Sequence, residues 1–244
     1  MATANQLRRE MIIVWDFDRT IINDDCDRWV GLEMGLTKLF TQLRPTMPWN
    51  SLMDRMMEEL HSHGKTIDDF TKRLNSFTVH PQIISAIRSA HDLGCDMKVI
   101  SDANKFFIET ILKNNEIYHC FSEIISNPTV IHRDGRLRIF PYHGLNHPPH
   151  GCELCPPNLC KGLVIDKIKD SDVKKRVMIY IGDGRDDLCG ILKLKEGDHI
   201  LPRMNLSLYH LVTKAKVPIK PIIHAWKDGE ELNKILVAII STQV

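Results

Sequence analysis

The chain has 244 residues, of which 43% are hydrophobic and 26% are charged, and its formal net charge is +1 at pH 7. A chain of this length and apolar content can bury a sizeable core, either as one large domain or as a core with an insertion. The balanced charge gives no sign of a nucleic-acid surface, and no apolar stretch approaches the roughly 18 to 20 residues of a membrane span. We therefore expect a self-contained soluble enzyme.

Two carboxylates one residue apart follow the first predicted strand. The apolar run Met11–Trp15 has the length of a buried parallel strand, and Asp16 and Asp18 come directly after it. Ligands of open α/β sheets bind at the carboxyl ends of such strands. Because carboxylates this close repel each other, the pair indicates either a hard divalent cation such as magnesium or one raised pKa. In isolation such a pair is more often an Asp-rich turn, so other segments must support it.

Residues 24–80 contain helical spacing and no strand-like run. Apolar side chains recur at three or four residues in two stretches, which are Leu32, Leu36, Leu39, Phe40 and Leu43, then Met53, Met56, Met57 and Leu60. We interpret the methionines as packing between helices. The pattern predicts a helical cap at 24–80, inserted after the first strand, with 1–23 and 81–244 forming the catalytic core domain.

From residue 81 onwards, predicted helices and short apolar strands alternate. This alternation predicts an α/β fold with a doubly wound, Rossmann-like parallel sheet. Arg133-Asp134-Gly135-Arg136 is a turn signal between alternating residues, so we expect a small antiparallel flap before Lys161. Further along, we predict a strand at 199–201 and a final helix at 230–240.

Three more segments carry polar residues where phosphate chemistry would need them. Ser101 and Asp102 follow a strand at 97–100, where a hydroxyl and the next helix's amides can meet a phosphate, although helix capping is the alternative. Asp183 follows the strand that ends near Ile181, between two glycines that permit a tight turn. Lys161 precedes a predicted helix at 162–168, and its ammonium could neutralise phosphate charge.

In this order and spacing, the segments resemble the haloacid dehalogenase superfamily of aspartate-nucleophile phosphotransferases over most of the chain. A closer resemblance is to the phosphoethanolamine and phosphocholine phosphatase branch, which includes thiamine phosphate phosphatase-like members. The residues that carry it are Asp16 to Thr20 with Asp27, Ser101 to Asn104, Cys152 to Lys161, and Gly182 to Asp187 followed by Cys189.

The resemblance implies a two-step hydrolysis in which Asp16 is the nucleophile and forms an aspartyl-phosphate. Asp18 would protonate the leaving oxygen and then activate water. Magnesium would be held by the Asp16 carboxylate, the Asp18 backbone carbonyl and Asp183. Ser101 and Lys161 would bind the phosphoryl group.

Two further acids of the last motif have weaker assignments. Asp187 is expected to support the metal site from behind. Asp186 stands where the related pattern usually has asparagine, and we leave it off the ligand list.

The resemblance also implies a substrate class. Positions that match Asp27 and Asp102 are associated with the substrate's head group, and carboxylates there would favour a cation. We therefore expect a small phosphate ester such as thiamine monophosphate, phosphoethanolamine or phosphocholine, ahead of inorganic pyrophosphate. For Asp27, capping of the first cap helix is the alternative. Pyrophosphatase or phosphotransferase activity on the same fold remains open, and a non-enzymatic zinc-stabilised binding protein is the most distant alternative.

The chain has seven cysteines, which we do not interpret as a disulfide framework because no secretory signal is recognisable. Three of them crowd beside three histidines: Cys152, Cys155 and Cys160 with His143, His147 and His150. Three thiolates and one imidazole could hold a structural zinc ion. The other four, Cys26, Cys95, Cys120 and Cys189, are expected to be small buried residues. With ten residues before the first strand, we predict a cytoplasmic location.

Overall fold

The computed structural model describes residues 11–144, 150–214 and 218–242. Its main element is a six-stranded parallel sheet in the order β3-β2-β1-β6-β7-β8, and a two-stranded antiparallel hairpin, β4-β5, lies apart from it. The strands are β1 (Met11–Trp15), β2 (Asp96–Asn104), β3 (Glu123–Asn127), β4 (Thr129–Ile131), β5 (Leu137–Ile139), β6 (Val177–Gly182), β7 (His199–Pro202) and β8 (Ile222–Ile223). The predicted doubly wound α/β fold is confirmed.

Helices cover both faces of the sheet. They are α1 (Cys26–Glu33), α2 (Thr37–Leu43), α3 (Trp49–Ser62), α4 (Ile67–Leu74), α5 (Pro81–Asp92), α6 (Lys105–Asn114), α7 (Lys161–Ser171), α8 (Asp187–Ile191), α9 (Ser207–Thr213) and α10 (Gly229–Thr242), with a 3-10 turn at Tyr118–Cys120. Within the described residues, no helix is both long enough and apolar enough to cross a bilayer. The cytoplasmic location stays a prediction.

Strand β1 lies at the centre of the sheet and belongs to two apolar layers. Ile13 and Trp15 join one buried cluster, and Ile12 and Val14 join the other, because successive side chains of a strand point to opposite faces. The first cluster contains α5, α6, α10 and the cap helices, and the second contains α7, α8 and α9. Burial on both faces explains why the whole run Met11–Trp15 is apolar.

Four helices, α1 to α4, occupy the segment in which a cap was predicted. Gly35, at φ +91°, ends the helical pattern that the leucines suggested and separates α1 from α2. Thr66 begins α4 with a capping box, in which its hydroxyl accepts from the Asp69 amide and the Asp69 carboxylate accepts from the Thr66 amide. Met53, Met56 and other apolar cap residues share the first cluster with the sheet. The division into core and cap domains stays a prediction.

The predicted antiparallel flap is present as the β4-β5 hairpin, with its turn at residues 133–136. It docks on α3, where the Asp54 carboxylate accepts from Arg138 Nε at 3.0 Å and from the Ile139 amide at 2.9 Å. The hairpin thereby links the loop that precedes α7 to the cap helices.

Element boundaries differ from prediction mainly near the site. Strand β2 continues past Ile100 to Asn104, and Asn104, rather than Ser101, caps α6 by accepting from the Phe107 amide at 3.0 Å. Sequence reasoning missed α9 and β8, which are short and contribute few apolar side chains to a recognisable period.

Candidate active site

The sheet topology brings three predicted site segments to one edge. Strand β1 pairs with β2 on one side and with β6 on the other, so it lies at the switch point of the sheet. Asp16 and Asp183 directly follow β1 and β6, Ser101 lies in β2 beyond its pairing with β1, and each of the three is at most 7% exposed. Ligands of such sheets bind in the crevice at this point.

Lys161, the first residue of α7, joins the acidic residues of two segments. Its side chain is fully buried, and Nζ lies 2.7 Å from Asp16 Oδ1, Asp186 Oδ2 and Asp187 Oδ1. Burial lowers the pKa of Lys161, but the three carboxylates outweigh burial and hold that pKa well above its usual value. The ammonium is therefore a fixed positive charge beside Asp16.

Asp187 holds the turn between β6 and α8. Its Oδ2 accepts from the amides of Asp183 and Gly184 at 3.0 and 2.9 Å, and its Oδ1 accepts from the Tyr180 hydroxyl at 2.7 Å. The contacts fit the supporting position predicted for Asp187. Tyr180 was missed because a tyrosine inside an apolar strand gives no sign of a polar partner.

The carboxylates around Asp16 carry more negative charge than Lys161 offsets. Burial raises the pKa of Asp16 well above its ordinary value, against the opposing charge of Lys161. Burial, together with Asp187, also raises the pKa of Asp183 to about 6. Buried carboxylates whose pKa values are raised in this way suit a hard divalent cation, which would stabilise their ionised forms. Asp16 and Asp183, with the Asp18 carbonyl, could hold such a cation.

Asp18 lies beside the start of α1 rather than in the lysine cluster. Its Oδ1 accepts a hydrogen bond from the Cys26 amide at 2.9 Å. Burial and the nearby charges of Asp25 and Asp27 raise the pKa of Asp18 well above its ordinary value. The carboxyl group is thus disposed to carry a proton, as a general acid must.

Ser101 and Asp102 lie side by side on the cavity wall. Ser101 Oγ accepts from the Ala103 amide at 3.2 Å. Asp102 Oδ1 is buried and has no hydrogen-bond partner among the described residues. Burial, with the charge of Asp186, raises the pKa of Asp102 to about 7. A buried carboxylate oxygen without a partner is costly, so a ligand donor or cation would stabilise it.

Asp27 lies in the first turn of α1 and is 2% exposed. It accepts from Asn104 Nδ2 at 2.7 Å and from Trp49 Nε1 at 3.2 Å, and burial raises its pKa to about 7. The α1 amide of Arg28 is capped by Asp25 instead. Asp27 thus connects α1 to Asn104 of β2 and to Trp49 of α3. Of these residues, Trp49 lines the cavity.

A cavity of about 540 Å³ opens above these groups. Besides Asp16, Asp18, Ser101, Asp102 and Asp183, its wall includes Arg19, Asp25, Arg44, Trp49, Asn50, Pro156, Pro157, Asn158, Arg185 and Asp186. Asn50 is 2% exposed, and neither of its side-chain polar atoms has a partner among the described residues. Sequence reasoning missed Arg44, Trp49 and Asn50, because only the packing of the cap turns them toward the sheet.

The fold is shared with solved phosphatase structures. A substrate-bound phosphoserine phosphatase complex has a TM-score of 0.59 to this chain at 15% identity, covering 93% of this chain and 98% of that one. The shared fold is the one that the resemblance to the haloacid dehalogenase superfamily implied. The model of the family described as "Putative Phosphatase" matches residues 11–240, so the chain belongs to that family.

Curated relatives extend the similarity. "Inorganic pyrophosphatase 2" of Arabidopsis thaliana is 49% identical over 95% of this chain and 84% of its own length. "Thiamine phosphate phosphatase-like protein" of the same plant is also 49% identical, over 96% of both chains. The predicted phosphatase class is confirmed, and the non-enzymatic alternative is thereby set aside.

Proposed function

We propose that the protein is a magnesium-dependent phosphatase that hydrolyses a small phosphomonoester with a cationic head group. The observation that carries the phosphatase proposal is the position of Asp16. It lies at the switch point of the sheet, on the cavity wall, and 2.7 Å from the buried Lys161 ammonium. The lysine orients the carboxylate and offsets charge that collects on the phosphoryl oxygens.

The proposed reaction has two displacements. Asp16 attacks phosphorus, the new phosphorus–oxygen bond forms as the ester oxygen departs, and Asp18 gives that oxygen its proton. Asp18 then removes a proton from water, which attacks the aspartyl-phosphate and releases phosphate and Asp16. The raised pKa of Asp18 supports its assignment as the acid of the first step.

The donor set supports magnesium as the cofactor. Asp16, Asp183 and the Asp18 backbone carbonyl offer the oxygen ligands that a hard cation prefers, and the raised pKa values of Asp16 and Asp183 mark negative charge that it would offset. When bound, the ion would neutralise charge on the transferring phosphoryl group. Ser101 is proposed to bind a phosphoryl oxygen through its hydroxyl.

A cationic head group is supported by the wall beside Ser101. Asp102 offers a buried oxygen that has no partner among the described residues. The Trp49 ring lines the same cavity, where the Arg44 guanidinium lies 5.2 Å from its centroid. Asp27 is proposed to act on the head group through Trp49, whose indole N–H it accepts. The Asn50 amide, which has no partner within the part of the chain that the structure describes, is a further donor and acceptor for a polar head group.

Inorganic pyrophosphate is the second candidate. Arg19, Arg44 and Arg185 also line the cavity, and guanidinium groups bind phosphate oxygens well. A relative named as a pyrophosphatase is as similar to this chain as the relative named as thiamine phosphate phosphatase-like.

Phosphate release tests the proposal directly. Magnesium-stripped protein is assayed with and without added magnesium against thiamine monophosphate, phosphocholine, phosphoethanolamine, pyridoxal phosphate and pyrophosphate. Magnesium-dependent release from one cationic ester supports the proposal. Preference for pyrophosphate overturns the head-group assignment and keeps the phosphatase, whereas transfer to an added alcohol in place of water indicates a phosphotransferase.

Two matched variants separate the acids that the head group is proposed to meet. Asp102→Asn should lower kcat/KM for the cationic ester about tenfold, which corresponds to about 1.4 kcal/mol, and should leave p-nitrophenyl phosphate within about twofold. Asp27→Asn should give a smaller loss in the same direction, about threefold, since it acts through Trp49. Equal changes on both substrates would show that the substituted acid is structural.

A further inference from the structure

Four of the seven cysteines converge at one point, although they come from three parts of the chain. Cys152 and Cys155 lie in the loop before α7, Cys160 is the residue that precedes α7, and Cys189 lies in α8. Their sulfur atoms all lie within 4.8 Å of one another. Cys160 and Cys189 are buried, and the other two are half-buried, which leaves one side of the cluster open to entry.

The fourth member differs from the sequence expectation. A histidine was expected beside Cys152, Cys155 and Cys160, but the adjacent group in the described part of the chain is Cys189, which was taken for a small buried residue. His150 is engaged elsewhere, since Nδ1 accepts from the Cys152 amide and Nε2 lies 3.0 Å from the Pro156 carbonyl. His147 lies outside the described residues.

We propose that Cys152, Cys155, Cys160 and Cys189 bind one structural zinc ion. The Cys189 sulfur lies 3.4 Å from that of Cys152 and 3.6 Å from that of Cys160. Zinc–sulfur bonds of about 2.3 Å in a tetrahedron place the sulfurs about 3.8 Å apart, close to these spacings. A disulfide needs about 2.05 Å, and all four cysteines are free.

Backbone groups around the cluster suit thiolate ligands. The amides of Leu163 and Gly162 lie against the sulfur atoms of Cys160 and Cys189. Both amides belong to the first turn of α7, whose end carries partial positive charge. Hydrogen bonds from such amides orient metal ligands and offset their negative charge.

The zinc site would join the two segments that hold the catalytic lysine. Cys160 immediately precedes Lys161, and Cys189 follows Asp187 by two residues in the same short helix. Pro156, Pro157 and Asn158 of the cavity wall lie between the ligands Cys155 and Cys160. A bound ion would therefore fix this wall and the start of α7 together, without touching substrate.

Metal content tests the site independently of activity. The full chain, purified under reducing conditions with zinc supplied, should contain one zinc per chain. Substituting cobalt should produce the thiolate charge-transfer and intense visible bands of a tetrahedral four-sulfur site. Cys189→Ser should lose at least half of the zinc and weaken these bands, whereas Cys95→Ser, a buried cysteine outside the cluster, should keep both.

If the Cys189→Ser variant does not fold, a measurement on the unaltered protein tests the same site. Alkylation of the native chain, read by peptide mass, should spare the four cluster cysteines when zinc is bound and modify the half-buried Cys152 and Cys155 first once it is removed. A wild-type protein without zinc and without cobalt–thiolate bands overturns the site. So does a native mass that reveals a disulfide in the cluster. Full zinc content in Cys189→Ser overturns the fourth ligand.

Discussion

Two clusters of polar side chains lie beside the start of α7, and they differ in charge and in how far they are open to a ligand. Around Lys161, three carboxylates lie 2.7 Å from one ammonium, and the cluster is open to a cavity. Around Cys189, four sulfurs face one another in a compact group. The first arrangement leaves negative charge that a cation could offset, whereas a zinc ion in the second would have all four positions filled by protein sulfurs, as in structural zinc sites. Under these proposals, Lys161 would serve the chemistry and its neighbour Cys160 the architecture.

The largest expected effect comes from the nucleophile. Asp16→Asn should lower kcat more than about a thousandfold, since the amide cannot form the aspartyl-phosphate. The fold should remain, because the change removes one of several crowded negative charges. Zinc content should stay unchanged, which separates the two clusters. Steady-state kinetics with a melting curve provides the check, and normal turnover would refute Asp16 as nucleophile.

Replacing Lys161, whose ammonium is shared by three carboxylates, should lower both activity and stability. Lys161→Met leaves Asp16, Asp186 and Asp187 without their buried partner, so we expect a loss of about 3 to 5 kcal/mol in the free energy of unfolding. Activity should fall at least about a hundredfold. Lys167→Met, an exposed lysine of the same helix, should change stability by less than about 0.5 kcal/mol. Equal urea midpoints for the two variants would contradict the role of Lys161.

One added methyl group can disturb the contact between helices α7 and α8. A Cβ at position 162 would lie 2.4 Å from Cys189 Sγ and 3.1 Å from the Cys189 carbonyl oxygen. Gly162→Ala should therefore cost about 1 to 3 kcal/mol and reduce zinc affinity. Gly31→Ala is the matched control, since its Cβ would meet nothing closer than 3.4 Å and alanine favours helices. Unchanged stability and zinc content in Gly162→Ala would indicate a looser contact.

A smaller effect is expected from pH in magnesium-free solution. Burial raises the pKa of Asp27 and Asp102 to about 7 and that of Asp183 to about 6, above the ordinary value of 3.8. These three carboxyl groups therefore bind more protons in the folded chain than in the unfolded chain in this range. Their contribution to the stability of the folded chain should rise by at least about 1 kcal/mol as pH falls from about 8 to about 6.

Urea unfolding at the two pH values measures this difference, with zinc content checked at each. Added magnesium should reduce it, because the ion stabilises the ionised carboxylates. The double variant Asp27→Asn, Asp102→Asn should also reduce it. A stability that falls with acidification would contradict the assigned directions of these pKa shifts.

The sequence was sufficient to predict the strands and helices with a regular apolar pattern and the polar residues that come after a strand. Buried runs such as Met11–Trp15 predicted the parallel sheet, because a strand covered on both faces must be apolar throughout. Asp16, Ser101 and Asp183 could be placed at one edge, since parallel strands end on the same side. Residues that act by packing, such as Trp49, Asn50 and Tyr180, left no comparable pattern.

The tertiary structure decided which partners each polar side chain meets. Asp27 could be matched to a head-group position from the sequence, but its bonds to Trp49 and Asn104 depend on how α1, α3 and β2 pack. Cys189 was one buried cysteine among several until α8 packed on α7 beside Cys160. Motifs of neighbouring residues can be recognised in the sequence. Contacts between residues that are 22 to 145 positions apart form only when the core packs, because apolar burial sets those distances and leaves no pattern of polar residues in the sequence.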